Sequence, residues 1–241
     1  PVTVQDCVFS DNSADYGGAM FLGEGSSVSI IDTEIENNDG AQWAGGIYGG
    51  GDDLTLSGVT VTDNDSIYGG GLLLEFTTVT SDDVMVDQNT GTYGGGAYIS
   101  DTVFEGSGTT TFDGNAADDI GGGVLALNAT DLLGIEVTSN ESEFGGGVAL
   151  YAAEGLSSLG DATISRNNAT SGGGGLWLFS YDSLAVSSVE LSGNTAANGA
   201  GLSNEGGGLV LSSCSLTDNM ARADGGGAYL YTFVGDWFTA H

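Results

Sequence analysis

The sequence predicts an all-β fold: a right-handed parallel β-helix solenoid of about nine coils of ~26 residues. Three observations predict it. Asparagine recurs at Asn12, Asn38, Asn64, Asn89, Asn115, Asn140, Asn167, Asn194 and Asn219, in steps of 25 to 27 residues. Each is preceded by a short stretch in which apolar and polar residues alternate, and each is followed by a glycine cluster leading into an apolar run. A fixed period in the twenties marks a chain built from one stacked unit.

The stretch before each asparagine reads as a strand. Three residues upstream stand Phe9, Ile35, Val61, Val86, Phe112, Val137, Ile164, Leu191 and Leu216, and five upstream stand small or apolar residues such as Cys7, Val59 and Ile135. Polar residues predominate between them, so one face is buried. After the glycines, Ala19, Ile47, Leu72, Ala97, Val124, Val148, Leu176, Leu202 and Ala228 open a second strand, with Phe21, Leu74, Ile99, Ala126, Leu150, Leu178 and Leu230 inward two positions later. Gly49 and Asn204 break that pattern, which predicts that their two coils turn early. Pairs such as Leu54 with Leu56 and Leu184 with Val186 supply a third short strand. None of these strands can bury an apolar face alone, so successive coils must pair in parallel.

The corners follow from residue type. Two positions after each asparagine only Ala, Gly or Ser occurs, and the glycines allow positive φ and close backbone approach. Stacked asparagines can bond from coil to coil through their amides, a structural role expected for the whole row.

The [FVIL]-x-x-N element in "FSDN", "VTDN" and "FDGN", paired with "GGA", "GGI", "GGGL" or "GGGV", resembles the repeats of the polymorphic outer membrane proteins and related β-helix passengers of autotransporter type. The resemblance covers essentially the whole chain. It implies a parallel β-helix and a bacterial surface or adhesive role.

Uniform repetition predicts one body, residues 1–241, cut from a longer chain, with no linker and with proline only at position 1. Nine coils at the strand spacing make a rod roughly 40 Å long. The ends read as uncapped, and the tail "YTFVGDWFTAH" is apolar enough to meet further coils or other chains. No apolar run is long enough to span a membrane as a helix, so direct membrane insertion is not expected. The net charge is −31 with Arg166 and Arg222 as the sole Lys or Arg residues, which disfavours nucleic acid, anionic membranes and acidic polysaccharides as partners. Cys7 and Cys214 share one slot in the first and ninth coils, too far apart for a disulfide.

Catalytic motifs are sparse. His241 is the sole histidine and is terminal, so triads and His-based zinc sites lack their parts, and the "GGG" clusters lack the Lys and Ser or Thr of a phosphate loop. Carboxylates remain. In the repeat register Asp87 and Asp113 fall in one outward slot of adjacent coils, as do Asp118 and Glu143. Stacked neighbours would lie about 5 Å apart, the spacing of a retaining glycosidase pair, and such pairs suit weak Ca2+ coordination equally well. No cofactor is otherwise implied. Sequons at Asn64, Asn128, Asn140 and Asn168 coincide in part with the asparagine row.

Between the two inward slots of the post-glycine strand lie Met20, Tyr48, Leu73, Tyr98, Leu125, Ala149, Trp177, Ser203 and Tyr229, expected outward as one stripe. A second row, Tyr16, Trp43, Tyr68, Tyr93, Ile120 and Phe144, precedes the glycines. Such a stripe is either a contact surface for another protein, another copy or sugar rings, or a line of side chains packed along the solenoid. As a contact surface, with Tyr48, Leu73, Tyr98, Trp177 and Tyr229 carrying it, its truncation at Trp177, Tyr98 and Tyr229 should weaken binding and leave the fold intact.

The reading that joins these features is a non-enzymatic, extracellular structural or adhesive β-helix of a cell-surface or filament assembly. Its partners would be other chains of that assembly, copies of itself, or glycans. The alternative is a polysaccharide hydrolase using Asp87 with Asp113, or Asp118 with Glu143.

Overall fold

The computed structural model describes residues 1–232 except 26, 52, 129, 153–157 and 181–183; the apolar tail after Thr232, with His241, lies outside the described residues. Among these residues there are strands and turns and no helix. Every strand pairing is parallel and joins residues one repeat apart, as in Val61 with Val86 and Leu72 with Ala97. The chain is a parallel β-solenoid. Its two nine-stranded sheets set nine layers and therefore eight turns between the first and the last.

A layer has four strands rather than three. In the first they are Val2–Gln5, Val8–Ser10, Ser13–Tyr16 and Met20–Leu22. The first two stack into one sheet, which fuses where Ser158–Ser165 and Leu184–Ser192 run straight through the intervening corner. The third strand occupies the stretch between asparagine and glycine that sequence reading assigns to a corner. Its inward slot faces the backbone of the corner that follows in the same coil, where a Cβ on Gly40 would lie 2.1 Å from the Ala44 carbonyl oxygen, so small residues occupy it. Ser66 and Ser142, buried there, donate to the carbonyls of Tyr68 and Phe144 at 2.8 Å each.

Single residues in the left-handed region make the corners. Asp6 and Asp11 turn the first layer, Asp63 and Gln88 turn later ones before the asparagine, and all have φ near +55°. Asp and Asn adopt this region at lower cost than other non-glycine residues. The next corner takes the first glycine of each cluster, Gly69 and Gly94 with φ +67°, and Ala44 occupies it in the second layer with φ +54°. A Cβ on Gly69 would lie 2.2 Å from the Leu72 carbonyl oxygen, so any side chain there forces the backbone to shift.

The core is a column of Leu, Ile, Val and Phe enclosed by the stacked strands, with Ile35, Val61, Val86, Phe112 and Ile164 fully or almost fully buried. Two details of the sequence reading change. Ala19 occupies the third glycine position, so Met20 pairs with Ile47, and Phe21, expected inward, pairs with Tyr48 and is 58% exposed. The coils of Gly49 and Asn204 do not turn early: strands Ile47–Gly50 and Leu202–Gly206 run on with both residues buried. Leu230 continues the Asn204 column but, in the last described layer, is exposed.

Candidate functional site

The asparagine row is saturated by its own fold. Asn38 donates from its backbone N and from Nδ2 to Asn64 Oδ1, at 2.9 Å each, and Nδ2 also donates to the carbonyls of Phe9 and Glu36. The same bond pair links each asparagine to the next from Asn12 to Asn219. From Asn38 to Asn194 these side chains are buried. A ligand therefore has no polar atom to address there, and the sequons at Asn64 and Asn140 are closed to modification in the folded chain. Those at Asn128 and Asn168 are half-buried.

The glycine cluster belongs to the same device. A Cβ on Gly71 would stand 3.0 Å from Asn89 Cγ, and one on Gly96 would stand equally close to Asn115 Cγ. The missing side chains make room for the amides. What look like two motifs in sequence are the two halves of one packed corner.

The stripe forms as a column, with Tyr48, Leu73, Tyr98, Leu125, Ala149, Trp177, Ser203 and Tyr229 in successive pairing register. Phe21 rather than Met20 heads it. It points away from the main core, yet it is not an open surface: Leu73 is 0% exposed and Trp177 7%. The pre-glycine row covers it. The αL corner at each glycine brings the outward side chain before it over the outward side chains after it. Tyr68 thus meets Tyr98 edge-on at 5.7 Å, and Phe144 lies against Trp177 at 5.4 Å. Leu125, Ala149 and Trp177 form a second hydrophobic cluster with Tyr93, Tyr98, Ile120 and Phe144 packed on it.

Along the covering row the rings stack on each other, Tyr16 on Trp43 at 6.2 Å, Trp43 on Tyr68 at 4.5 Å and Tyr68 on Tyr93 at 5.2 Å. Their faces are spent on neighbouring layers, and a sugar ring needs such faces free. Burial pushes the Tyr98 phenol up to about 12, and burial together with Glu75 does the same at Tyr48, whose hydroxyl donates to Glu75 Oε2 at 3.0 Å. Both are neutral phenols at physiological pH.

Among the carboxylates, Asp87 and Asp113 are direct partners in adjacent strands. Burial, and then the charges of Asp113 and Asp63, push the Asp87 carboxyl above the usual aspartate value against opposing hydrogen bonds from Gln88. Asp118 and Glu143 line one shallow depression of about 320 Å3 on the third-strand face, with Glu141, Asn168 and Thr170. The β-bulge between Ala116 and Ile120 shifts the register beside them. Among the described residues no three His, Cys, Asp or Glu side chains are grouped to hold a metal ion. Cys7 and Cys214 are free thiols. Arg166 donates to Thr138 Oγ1 at 2.7 Å, tying two layers together.

The parallel β-solenoid implied by the resemblance to outer-membrane repeat proteins is the fold observed. Comparison of the chain with protein-family models, with curated proteins and with solved structures gives no significant match, so the fold and the residues themselves are what bear on its role.

Proposed function

We propose that the chain is a non-enzymatic structural rod, a spacer or adhesive element of an extracellular surface or filament assembly that contacts other chains, copies of itself or glycans. The observation that carries this reading is the unbroken ladder from Asn12 to Asn219, which spends the polar atoms at its corner on holding layers together. The parallel pairing continues from layer to layer through the described residues, which suits an element that extends and transmits load. The acidity supports a well-solvated surface in salt-rich surroundings.

Single-molecule stretching tests the proposal. A rod that bears load should resist extension until layers peel away in steps of one repeat, and Asn115→Ala should lower that resistance. Extension at negligible force in the unaltered chain would remove the load-bearing role.

A second reading rests on the pairing of Asp87 with Asp113 and on the upward displacement of Asp87, which suits a general acid beside a second carboxylate. Release of reducing ends from a panel of neutral polysaccharides, abolished in both Asp87→Asn and Asp113→Asn, would replace the structural reading with hydrolysis.

A further inference from the structure

Across the first three layers, where the post-glycine strands turn toward the following coil, the surface sinks into a pocket of about 360 Å3 lined by Phe21, Leu22, Glu24, Tyr48, Glu75 and Phe76. Its depth comes from missing side chains. Gly50 of the second layer pairs with Glu75 of the third, and a Cβ on Gly51 would already lie 3.5 Å from Glu24 Cγ.

The walls are aromatic. Phe21 stacks on Tyr48 at 5.0 Å with the rings 6° from parallel, and the Tyr48 hydroxyl fixes Glu75 beside them. Phe76 is the anomaly. It holds φ +54° and is 69% exposed, at a corner where the next two layers use Asp101 and Asn128. A bulky aromatic is among the poorest residues for that backbone conformation and gains little there from burial. Strain retained at an exposed position, beside a cavity, is a mark of function.

The chemistry selects the ligand. Two carboxylates from flanking layers face the pocket among three aromatic rings, in a chain of net charge −31, so the occupant is cationic. An ammonium is a compact, strongly hydrated charge, and a quaternary ammonium makes no hydrogen bond to a carboxylate. A guanidinium is planar, stacks on rings and donates parallel bonds to a carboxylate. We propose that this pocket binds the guanidinium of an arginine carried by a partner polypeptide, stacked on Phe76 or Phe21 and paired with Glu24 or Glu75. The pocket stands apart from the structural reading, since it is tested by peptides alone whether or not the rod bears load.

The experiment titrates the full chain, followed by NMR, with a short Gly-Arg-Gly peptide and with its citrulline and trimethyllysine counterparts. Phe76→Gly relieves the corner and keeps the fold, which a urea melt verifies, and Glu24→Gln removes one charge. The expected result is arginine-dependent shifts at Phe21, Tyr48 and Phe76, no binding of the citrulline peptide, and affinity lowered about fivefold in each variant. Glu190→Gln, exposed on a distant strand, should change nothing. Undiminished binding by Phe76→Gly, equal binding of citrulline, or absence of shifts would overturn the proposal. Tighter binding of trimethyllysine would overturn the guanidinium assignment.

Discussion

Asn89 donates two hydrogen bonds to the single Oδ1 of Asn115, from its backbone N at 2.9 Å and from Nδ2 at 3.0 Å. Its own Oδ1 receives the same pair from Asn64. Each interior rung therefore accepts the donors of the layer before it, and its own donors reach both the next asparagine and, through Nδ2, a carbonyl of the layer before. Asn89→Ala leaves the Asn64 backbone N–H without its acceptor in a buried corner, at about 1–3 kcal/mol, and removes the side-chain bonds of Asn89 with Asn64, Val61 and Asn115. The expected loss is about 3 kcal/mol or more, read from urea denaturation. Asn12→Ala keeps the backbone bond to Asn38 at an exposed rung and should lose only about 1 kcal/mol. Equal losses at the two positions would refute the ladder as a cumulative device.

Ala44 is the one residue at its corner column that is not glycine, and it holds φ +54°. The left-handed region costs a non-glycine residue about 1–2 kcal/mol, and the buried methyl returns about 0.8 kcal/mol. Strain wins narrowly, so Ala44→Gly should stabilise by about 0.5–1 kcal/mol. Gly69→Ala is the converse: its Cβ would meet backbone at 2.2 Å, and destabilisation of about 3 kcal/mol or more is expected. A thermal melt of the two variants decides both signs.

Much of this was legible in the sequence, because a repeat is a ruler. Counting from the asparagines places Val61 inside and sets Asp87 beside Asp113, and both placements hold. The same ruler slipped at Met20, since it counts from the last glycine and Ala19 fills a glycine position. It also left Leu73 and Trp177 facing outward. Periodicity tells which side of a strand a residue is on, whereas their burial depends on how sharply the glycine corner folds Tyr68 and Phe144 over them. Phe76 could have been found by aligning that corner across coils, where Asp101 and Asn128 set the expectation it violates.

The roofed stripe alters what truncation should do. Trp177 is 7% exposed between Phe144 and Phe179, so Trp177→Ala removes a packed indole and should cost about 3–4 kcal/mol. Tyr229→Ala, in the last described layer and only partly buried, should cost less than about 1.5 kcal/mol. Loss of binding in a triple variant would therefore report unfolding before it reported a contact. Circular dichroism melts of the single variants separate the two, and a Trp177→Ala variant as stable as the parent would mean that the covering row closes over the gap without loss.

Asp87 ties the solenoid's stability to pH through its burial and, after that, its charged neighbours. Its folded-state pKa lies above the unfolded value because burial and the charges of Asp113 and Asp63 disfavour the anion. A carboxyl raised in this way binds its proton more tightly in the folded chain. Its contribution is fully present below the unfolded value of about 4 and is lost as pH rises through the folded pKa. At pH 7 the ionised group opposes folding, so Asp87→Asn should raise the melting temperature there, and its advantage should shrink toward zero as the pH is lowered past about 4. Added NaCl should raise the parent's melting temperature more than the variant's, because part of the penalty is repulsion that salt screens. A variant that is less stable than the parent at pH 7 would mean that the Gln88 hydrogen bonds to the anion outweigh both burial and repulsion.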